Sequence, residues 1–432
     1  MAENEAGMYG SKDYELKSLE LVNSGGQTVD LRKVFVELQI FQDLYSSVMS
    51  GNIVISDGND IFSNFYFVGN EYLKISIDKP GLGLPLERMF RIYKSSDRRV
   101  SNDSGQMYIL HFCSDELVSS SQILVSKSYK STKIKNVVYD ILAKELNVDD
   151  SRIYRLEDTS GNFDLLIPNY RPFEAIQWAT NRGYDQNKFC YFFFENKNGF
   201  NLASLQTLIK QKPYKTLKYE LKNVDRDPAN NKDSIDNFEI LNDFDMINSI
   251  TNGSFASRML GVDIINQEFT LYDYDLKQAE AQKNLLNKFA PVNSFKNSKN
   301  ESLFQAKNSF FRTYIDFKGT ATEKSVDIKN WLLPRGMHMI MLNHFRIRVT
   351  VPGDIELKAG DVVEYEFPMF ESADQSGKKL DKHRSGKYLV ASVNHKFRED
   401  VFESIIELVS DSFSDQVPLA KDGLNRLTKK GR

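Results

Sequence analysis

MLNHFRIRVTVPGDIELKAGDVVEYEF (residues 341–367) and KYLVASVNHKFREDVFESIIELVS (387–410) are the stretches that decide the fold. In the first, Phe345, Ile347, Val349 and Val351 alternate with His344, Arg346, Arg348 and Thr350. A period of two puts one set on a buried face and the other toward water, as in half-buried antiparallel strands. Pro352-Gly353-Asp354 and Ala359-Gly360-Asp361 punctuate the run as turns. Neither stretch carries a nucleophile, metal cluster or phosphate loop, so both point to a protein whose product is a shape.

The same reading extends to the N-terminal part of the chain. Residues 1–13 are polar and loose, and 14–117 hold six or seven short strands separated by Gly, Asn, Asp and Pro turns. In that block Val34, Val36, Leu38 and Ile40 are expected on one face, with Ile53 and Ile55 on the next strand and a short helical turn in IFSNFYFV. Residues 98–106 are expected to form a hairpin tip.

The period changes near residue 118. Ile134, Val137, Val138, Ile141, Leu142 and Leu146 follow helical spacing. A second helix is predicted within YRPFEAIQWATNRGYD, with Pro172 near its start and Gly183 near its end. Asn198-Gly199 then reads as a type I′ hairpin turn. This makes 118–215 an α+β module. Strand character returns over 216–276, residues 277–339 form an excursion with a partly helical segment that Pro334 and Gly336 should break or kink, and 413–432 form a basic tail. The fold class is α+β, mainly β: two tube-like antiparallel β-barrel domains (14–117; 216–276 with 340–412) with an α+β domain inserted between them.

Composition narrows the function classes. The chain has 432 residues and a formal net charge of −3, so bulk charge does not mark it as a nucleic-acid binder. Thirty Phe and 20 Tyr against 2 Trp favour β structure with an aromatic core or large buried interfaces. Cys113 and Cys190, the only cysteines, lie in apolar contexts that suit buried reduced thiols of a protein made in a cytosol. The N-terminus shows no signal pattern, and no apolar run reaches the ~18 residues a membrane span needs.

A search for chemistry finds no focus. His111, His338, His344, His383 and His395 match none of the spacings HExxH, HxH or zinc-site pairs. Asp57-Gly58-Asn59-Asp60 reads as a turn or helix N-cap rather than a calcium loop. Pro80-Gly81-Leu82-Gly83 lacks the ending of a phosphate loop. Arg98-Arg99 and Lys429-Lys430 read as a solvated loop and tail. An enzyme would have to draw on scattered carboxylates such as Glu145, Asp164, Glu174 and Glu195. No catalytic, cofactor-binding or metal residue is assigned, and no cofactor is expected.

Five passages carry a resemblance: VELQIFQDLYSSVMSGNIVISDG (36–58), LLIPNYRPFEAIQWATNRGY (165–184), YFFFENKNGFNLASLQTLI (191–209), VPGDIELKAGDVVEYEFP (351–368) and SGKYLVASVNHKF (385–397). In their order and turn placement the chain resembles the baseplate hub proteins of contractile-tailed phages of the T-even type. Related to these are the hub proteins of simpler myophages and the head region of type VI secretion spike proteins. The resemblance implies a structural virion protein and not an enzyme. It implies a homotrimer whose paired barrels form a pseudo-sixfold ring, adapting a hexameric tail tube to a trimeric spike. The implied partners are the trimeric central spike protein, tail tube or tube-initiator proteins, the tape-measure protein and baseplate wedge proteins, with DNA passing transiently through the lumen. The implied location is the tail baseplate of the virion after assembly in the host cytoplasm. On this reading Val34, Val36, Leu38, Ile40, Ile53, Ile55, Phe345, Ile347, Val349 and Val351 mark barrel strands or strands at subunit interfaces. The excursion and the tail depart from the T-even pattern, and no fused spike or lysozyme domain is seen, so those activities are expected in a separate chain. The alternatives are the hub of a phage-derived contractile injection particle, a receptor-binding module, or a cell-wall hydrolase.

Overall fold

The computed structural model describes residues 14–65, 67–79, 85–102, 105–219, 234–277, 284–290, 301–315, 328–369, 380–398 and 401–415. The N-terminal block contains β1 (Glu15–Val22), β2 (Thr28–Asp30), β3 (Phe35–Asp43), β4 (Ser50–Asp57), α1 (Ile61–Asn64), β5 (Tyr72–Asp78), β6 (Leu86–Asn102) and β7 (Gly105–Ser114). The middle of the chain contains α2 (Asp115–Gln122), β8 (Val125–Thr132), α3 (Ile134–Asp140), β9 (Ile153–Leu156), β10 (Phe163–Tyr170), α4 (Pro172–Thr180), β11 (Tyr191–Asn196), β12 (Gly199–Ser204) and α5 (Leu205–Ile209). Then follow β13 (Thr216–Tyr219), β14 (Ser234–Ile235), β15 (Asn237–Asn242), α6 (Met246–Thr251), β16 (Ala256–Asp263), β17 (Glu268–Asp275), β18 (Phe311–Ile315) and α7 (Ile328–Leu342). The C-terminal strands are β19 (Phe345–Pro352), β20 (Val362–Glu366), β21 (Gly386–Arg398) and β22 (Phe402–Ser410).

The molecule is mainly β with helices, and its two β blocks share one 14-stranded sheet. In the first block the hydrogen-bonded order is β3-β4-β7-β6-β5-β1-β2. Around the second, β14-β13-β20-β21 continues through β22 and β19 to β15. Because β14 and β15 are consecutive, with the Asp236 amide donating to Thr350 O at 2.8 Å, this path returns on itself. The seam between blocks is β21 against β3, seven antiparallel pairs from Ser392↔Asp43 to Arg398↔Glu37.

Alternation explains the cores. Leu38, Ile40, Ile53 and Ile55 meet Leu73, Ile75 and Phe112 inside the first block. Phe345, Ile347, Val349 and Val351 meet Val390, Val393, Ile406 and Leu408 inside the second. Each fully buried aliphatic side chain contributes about 1.5–3 kcal/mol over its exposed state. Gly353 allows the turn after β19 to close on β22: its amide donates to Phe402 O at 2.8 Å, and a Cβ there would lie 2.1 Å from the Phe402 ring.

Several expectations are corrected. Val36 does not share the face of Leu38 and Ile40; it is 44% exposed, because the ladder to β4 shifts register between Phe35 and Glu37 and turns the strand over. The second block is not purely antiparallel, since β13 runs parallel to both β14 and β20. β16 and β17, expected in that block, instead form a separate three-stranded sheet with β18 from the excursion. The β11–β12 turn centres on Lys197-Asn198, because Asn196 pairs with Gly199. Neither central residue has the positive φ of a type I′ turn. Gly199 serves a different purpose: a Cβ would sit 2.2 Å from Arg152 O. Finally, α7 runs from Ile328 to Leu342 with Pro334 inside it and no break. Burial of Trp331, Leu333, Met337, Met341 and Leu342 outweighs the lost backbone bond. Pro80–Gly83 and the basic tail beyond residue 415 lie outside the described residues.

Replacing Ile347 or Val349 with Asp puts an unpaired carboxylate in the second core. We expect a loss of at least about 3 kcal/mol or no soluble protein. Urea unfolding of purified variants checks this; near-wild-type midpoints would contradict the strand assignment.

Candidate assembly surfaces

The residues that sequence reading singled out divide by burial. Leu38, Ile40, Ile53, Ile55, Phe345, Ile347, Val349 and Val351 point into their own block's core, and Val34 packs half-buried at its edge. These strands are paired on both sides within the chain, β3 by β21 and β4, β4 by β3 and β7, and β19 by β15 and β22, so what they leave to a neighbouring chain is their outward face. The outward face of β19 carries Arg346 and Arg348, both paired with Glu407 on β22; Arg348 also reaches Glu239 on β15 at 3.0 Å. At the seam, Glu37 pairs with Lys396 (3.1 Å) and Arg398 (2.9 Å).

The scattered carboxylates do not converge. Glu145 lies 3.9 Å from Lys127. Asp164 accepts the Ser131 amide at 2.6 Å. Glu174 accepts the Arg171 amide at 3.1 Å and caps α4, whose first residue is Pro172. Glu195 is buried and accepts from Arg152 (2.6 Å), the Met49 amide (2.9 Å) and Ser114 Oγ. Arg152 also pairs with Glu116, whose carboxyl is raised, first by burial. This cluster fastens the middle module to the first β block, since Met49 and Ser114 flank β4 and β7. Sequence reading missed it because its members lie up to 146 residues apart. Asp57 works as a turn residue: it accepts the amides of Asn59 (3.0 Å) and Phe62 (3.2 Å). Arg98 lies over the Phe62 ring at 4.1 Å and bonds Gln106.

One buried group contains the residue types of a hydrolase. His395 Nδ1 shares a hydrogen bond with Ser404 Oγ at 3.0 Å, and Asp354 lies beside them. The connectivity is wrong for a nucleophile relay. Asp354 reaches Ser404 through its backbone amide (3.1 Å), while its carboxylate takes Lys215 (2.8 Å) and Tyr214 (3.2 Å). His395 and Ser404 are both fully buried, so no substrate can meet them. The group instead fixes the turn after β19 against β13 and β22. His111 shares a half-buried hydrogen bond with Ser96, and His383 stacks on Phe413 with centroids 3.9 Å apart. Cys113 and Cys190 are free and buried; burial pushes their thiols up to about 12 and about 11.

Among the described residues no helix is long and apolar enough to cross a membrane. No family model matches the sequence, and no curated protein matches it. Solved structures do match. The tail protein from Neisseria meningitidis superposes with a TM-score of 0.53 at 12% identity, over 92% of this chain and 97% of that one. The 43 kDa tail protein of prophage MuSo2 from Shewanella oneidensis gives 0.53 at 9% identity, over 91% and 98%. The chain shares the fold of these two tail proteins. An Escherichia coli component of the type VI secretion system also aligns, over 94% of this chain, at a TM-score of 0.45 and 7% identity.

Two histidines make stability depend on pH. His338 lies flat on Phe189 (4.6 Å, 10°) with neither nitrogen bonded, and burial with nearby Arg335 holds it down at about 3. His395, its Nε2 unbonded, is held at about 4, chiefly by burial. Both stay neutral when folded but take up protons near 6.5 when unfolded, so their stabilisation is complete above about pH 6.5 and declines as pH falls toward the folded values. We expect His338→Phe, which keeps the ring stack, to gain about 2 kcal/mol relative to wild type between pH 7 and pH 5. Parallel urea curves at both pH values, with an unchanged gap, would refute this.

Proposed function

We propose that this protein is a structural virion protein of a contractile phage tail: the central baseplate hub, non-enzymatic and trimeric. The observation that carries the reading is the seam. Two β blocks, joined by β21 and β3, stand side by side in one chain. Rolled into tube-like barrels, three such pairs make six blocks around an axis. A trimer then meets a sixfold tube on one side and a threefold spike on the other without either changing symmetry. The likeness to a Neisseria tail protein and a prophage tail protein over more than 90% of the chain supports the reading at the level of fold.

On this proposal the partners are the tail tube or its initiator, the trimeric central spike, the tape-measure protein and the baseplate wedge, and DNA crosses the lumen only in passing. Assembly takes place in the host cytoplasm and the finished protein resides in the tail baseplate. Open strand edges also acquire a use, since sheets continued between copies leave fewer edges for aggregation.

The test is mass in solution by light scattering, alone and with the trimeric spike protein. A trimer, or a monomer driven to a three-to-three complex, is expected. A monomer indifferent to the spike would remove the reading.

A further inference from the structure

The two β blocks match one another strand for strand. In space the first runs β2-β1-β5-β6-β7-β4-β3 and the second β14-β13-β20-β21-β22-β19-β15, and the corresponding strands follow in the same order along the chain. One strand departs from the match: β13 is parallel to its neighbours where β1 is antiparallel. A shared irregularity fixes the alignment. β6 shifts register against β7 between Ile92 and Lys94, and β21 shifts against β22 between Val390 and Ser392. The residues before the shift, Ile92 and Val390, stand opposite Phe112 and Leu408. Those two stand opposite Gly51 and Ile347, which in turn stand opposite Ile40 and Ile240. Ile240 of β15 is therefore the counterpart of Ile40 of β3.

The counterparts differ in what lies beyond them. The outer edge of β3 is covered by β21, whose first residues pair with β20 and whose later ones, Ser392 to Arg398, pair with β3. β6 divides in the same way: residues 86–91 pair with β5, but among the described residues its distal part pairs with β7 alone. Among the same residues β15 pairs with β19 alone. Side chains mark the difference. Ile40 is fully buried, whereas Ile240 is 41% exposed. Phe397 of β21 is fully buried; its counterpart Val100 on β6, opposite Gln106 as Phe397 is opposite Phe402, is 83% exposed. Charge fits as well. The seam sets Lys396 opposite Gln39, and their counterparts are Arg99 and Glu239, both exposed. Glu239 keeps 60% of its side chain in solvent beside Arg348.

We propose that the distal part of β6 in one copy pairs antiparallel with β15 of the next, repeating between copies the seam that β21 and β3 make within one, with Arg99 brought to Glu239. A second copy is the occupant because the chain already builds this pairing once, between the counterpart strands. Direction agrees. The eight strands β15-β19-β22-β21-β3-β4-β7-β6 form one antiparallel ribbon with these two edges at its ends. An even number of alternating strands leaves the ends running in opposite directions, so one end meets the other antiparallel. Different edges then join head to tail, and three such steps close a ring when each turns by a third of a circle. This inference rests on the trimer reading above and names the edges that would make it.

The experiment uses the full chain with Arg99→Cys and Glu239→Cys together and each alone, with and without the trimeric spike protein. Each is treated with a thiol oxidant while mass is followed by light scattering and non-reducing gels. Residues directly opposite on antiparallel strands stand about 4.5–5.5 Å apart at Cα, within disulfide reach. The two native thiols are buried and stay silent. We expect covalent species up to trimer from the double variant and none from either single variant. Cross-linking by Arg99→Cys alone would mean that β6 meets β6, and a disulfide without gain in mass would mean that the edges meet within one copy; either would overturn the contact. A trimer without the cross-link would overturn this contact and leave the trimer standing. A cross-linked dimer would keep the contact and remove the trimer, and an uncross-linked monomer in both conditions would remove both. As a second measurement, Arg99→Glu and Glu239→Arg should each weaken association roughly tenfold, and their combination should restore it. Failure of the pair to restore it would overturn the proposed charge contact.

Discussion

The architecture depends on the pairing of β21 with β3. β21 is 13 residues long and touches three cores in turn: Tyr388, Val390 and Val393 enter the second block, Leu389 and Ala391 the region beneath α7, and Phe397 the first block. Phe397 stacks on Phe402 with centroids 4.2 Å apart, and Tyr14 packs edge-on against that pair. A strand buried in both blocks leaves little freedom for one to pivot on the other. Backbone ladder and apolar burial act on the same residues, so neither can be lost without the other.

Polar groups fix what the ladder leaves open. Glu195 with Arg152 and Glu116 anchors the middle module to the first block; Asp354 with Lys215 anchors β13 to the second. Burying such pairs gains little net stability, but breaking one leaves a charge stranded, so each favours a single docking geometry. Lys197–Glu356 and the bond from Asn196 to Ala359 O (3.2 Å) tie the β11–β12 turn to the same region.

Much of the local structure was legible. Phe345 to Val351 alternate and form a strand; Pro172 begins a helix; Asp57 caps a turn. Errors arose where a distant contact overrode a local rule. Pro334 and Gly336 suggested a break or a kink, and α7 continues through them without a break. Asn198-Gly199 suggested one turn type, yet Gly199 is required by Arg152 packed against it. Val36 kept the apolar rhythm of its strand while a bulge turned it outward. Ile240, exposed where its counterpart Ile40 is buried, went unremarked, since exposure of an apolar side chain has no mark in the sequence.

By itself the sequence determined the fold class of the protein: mainly β, with helices in the middle. Period, turn residues and caps act within a few positions, where backbone geometry alone sets the outcome. Only the tertiary structure decided which edges meet. Residue 40 pairs with residue 395, and β16 leaves the second block for β18, through choices among many apolar strands of similar pattern. Such choices are made by the fit of whole faces and the closure of long loops, which no short stretch of sequence encodes.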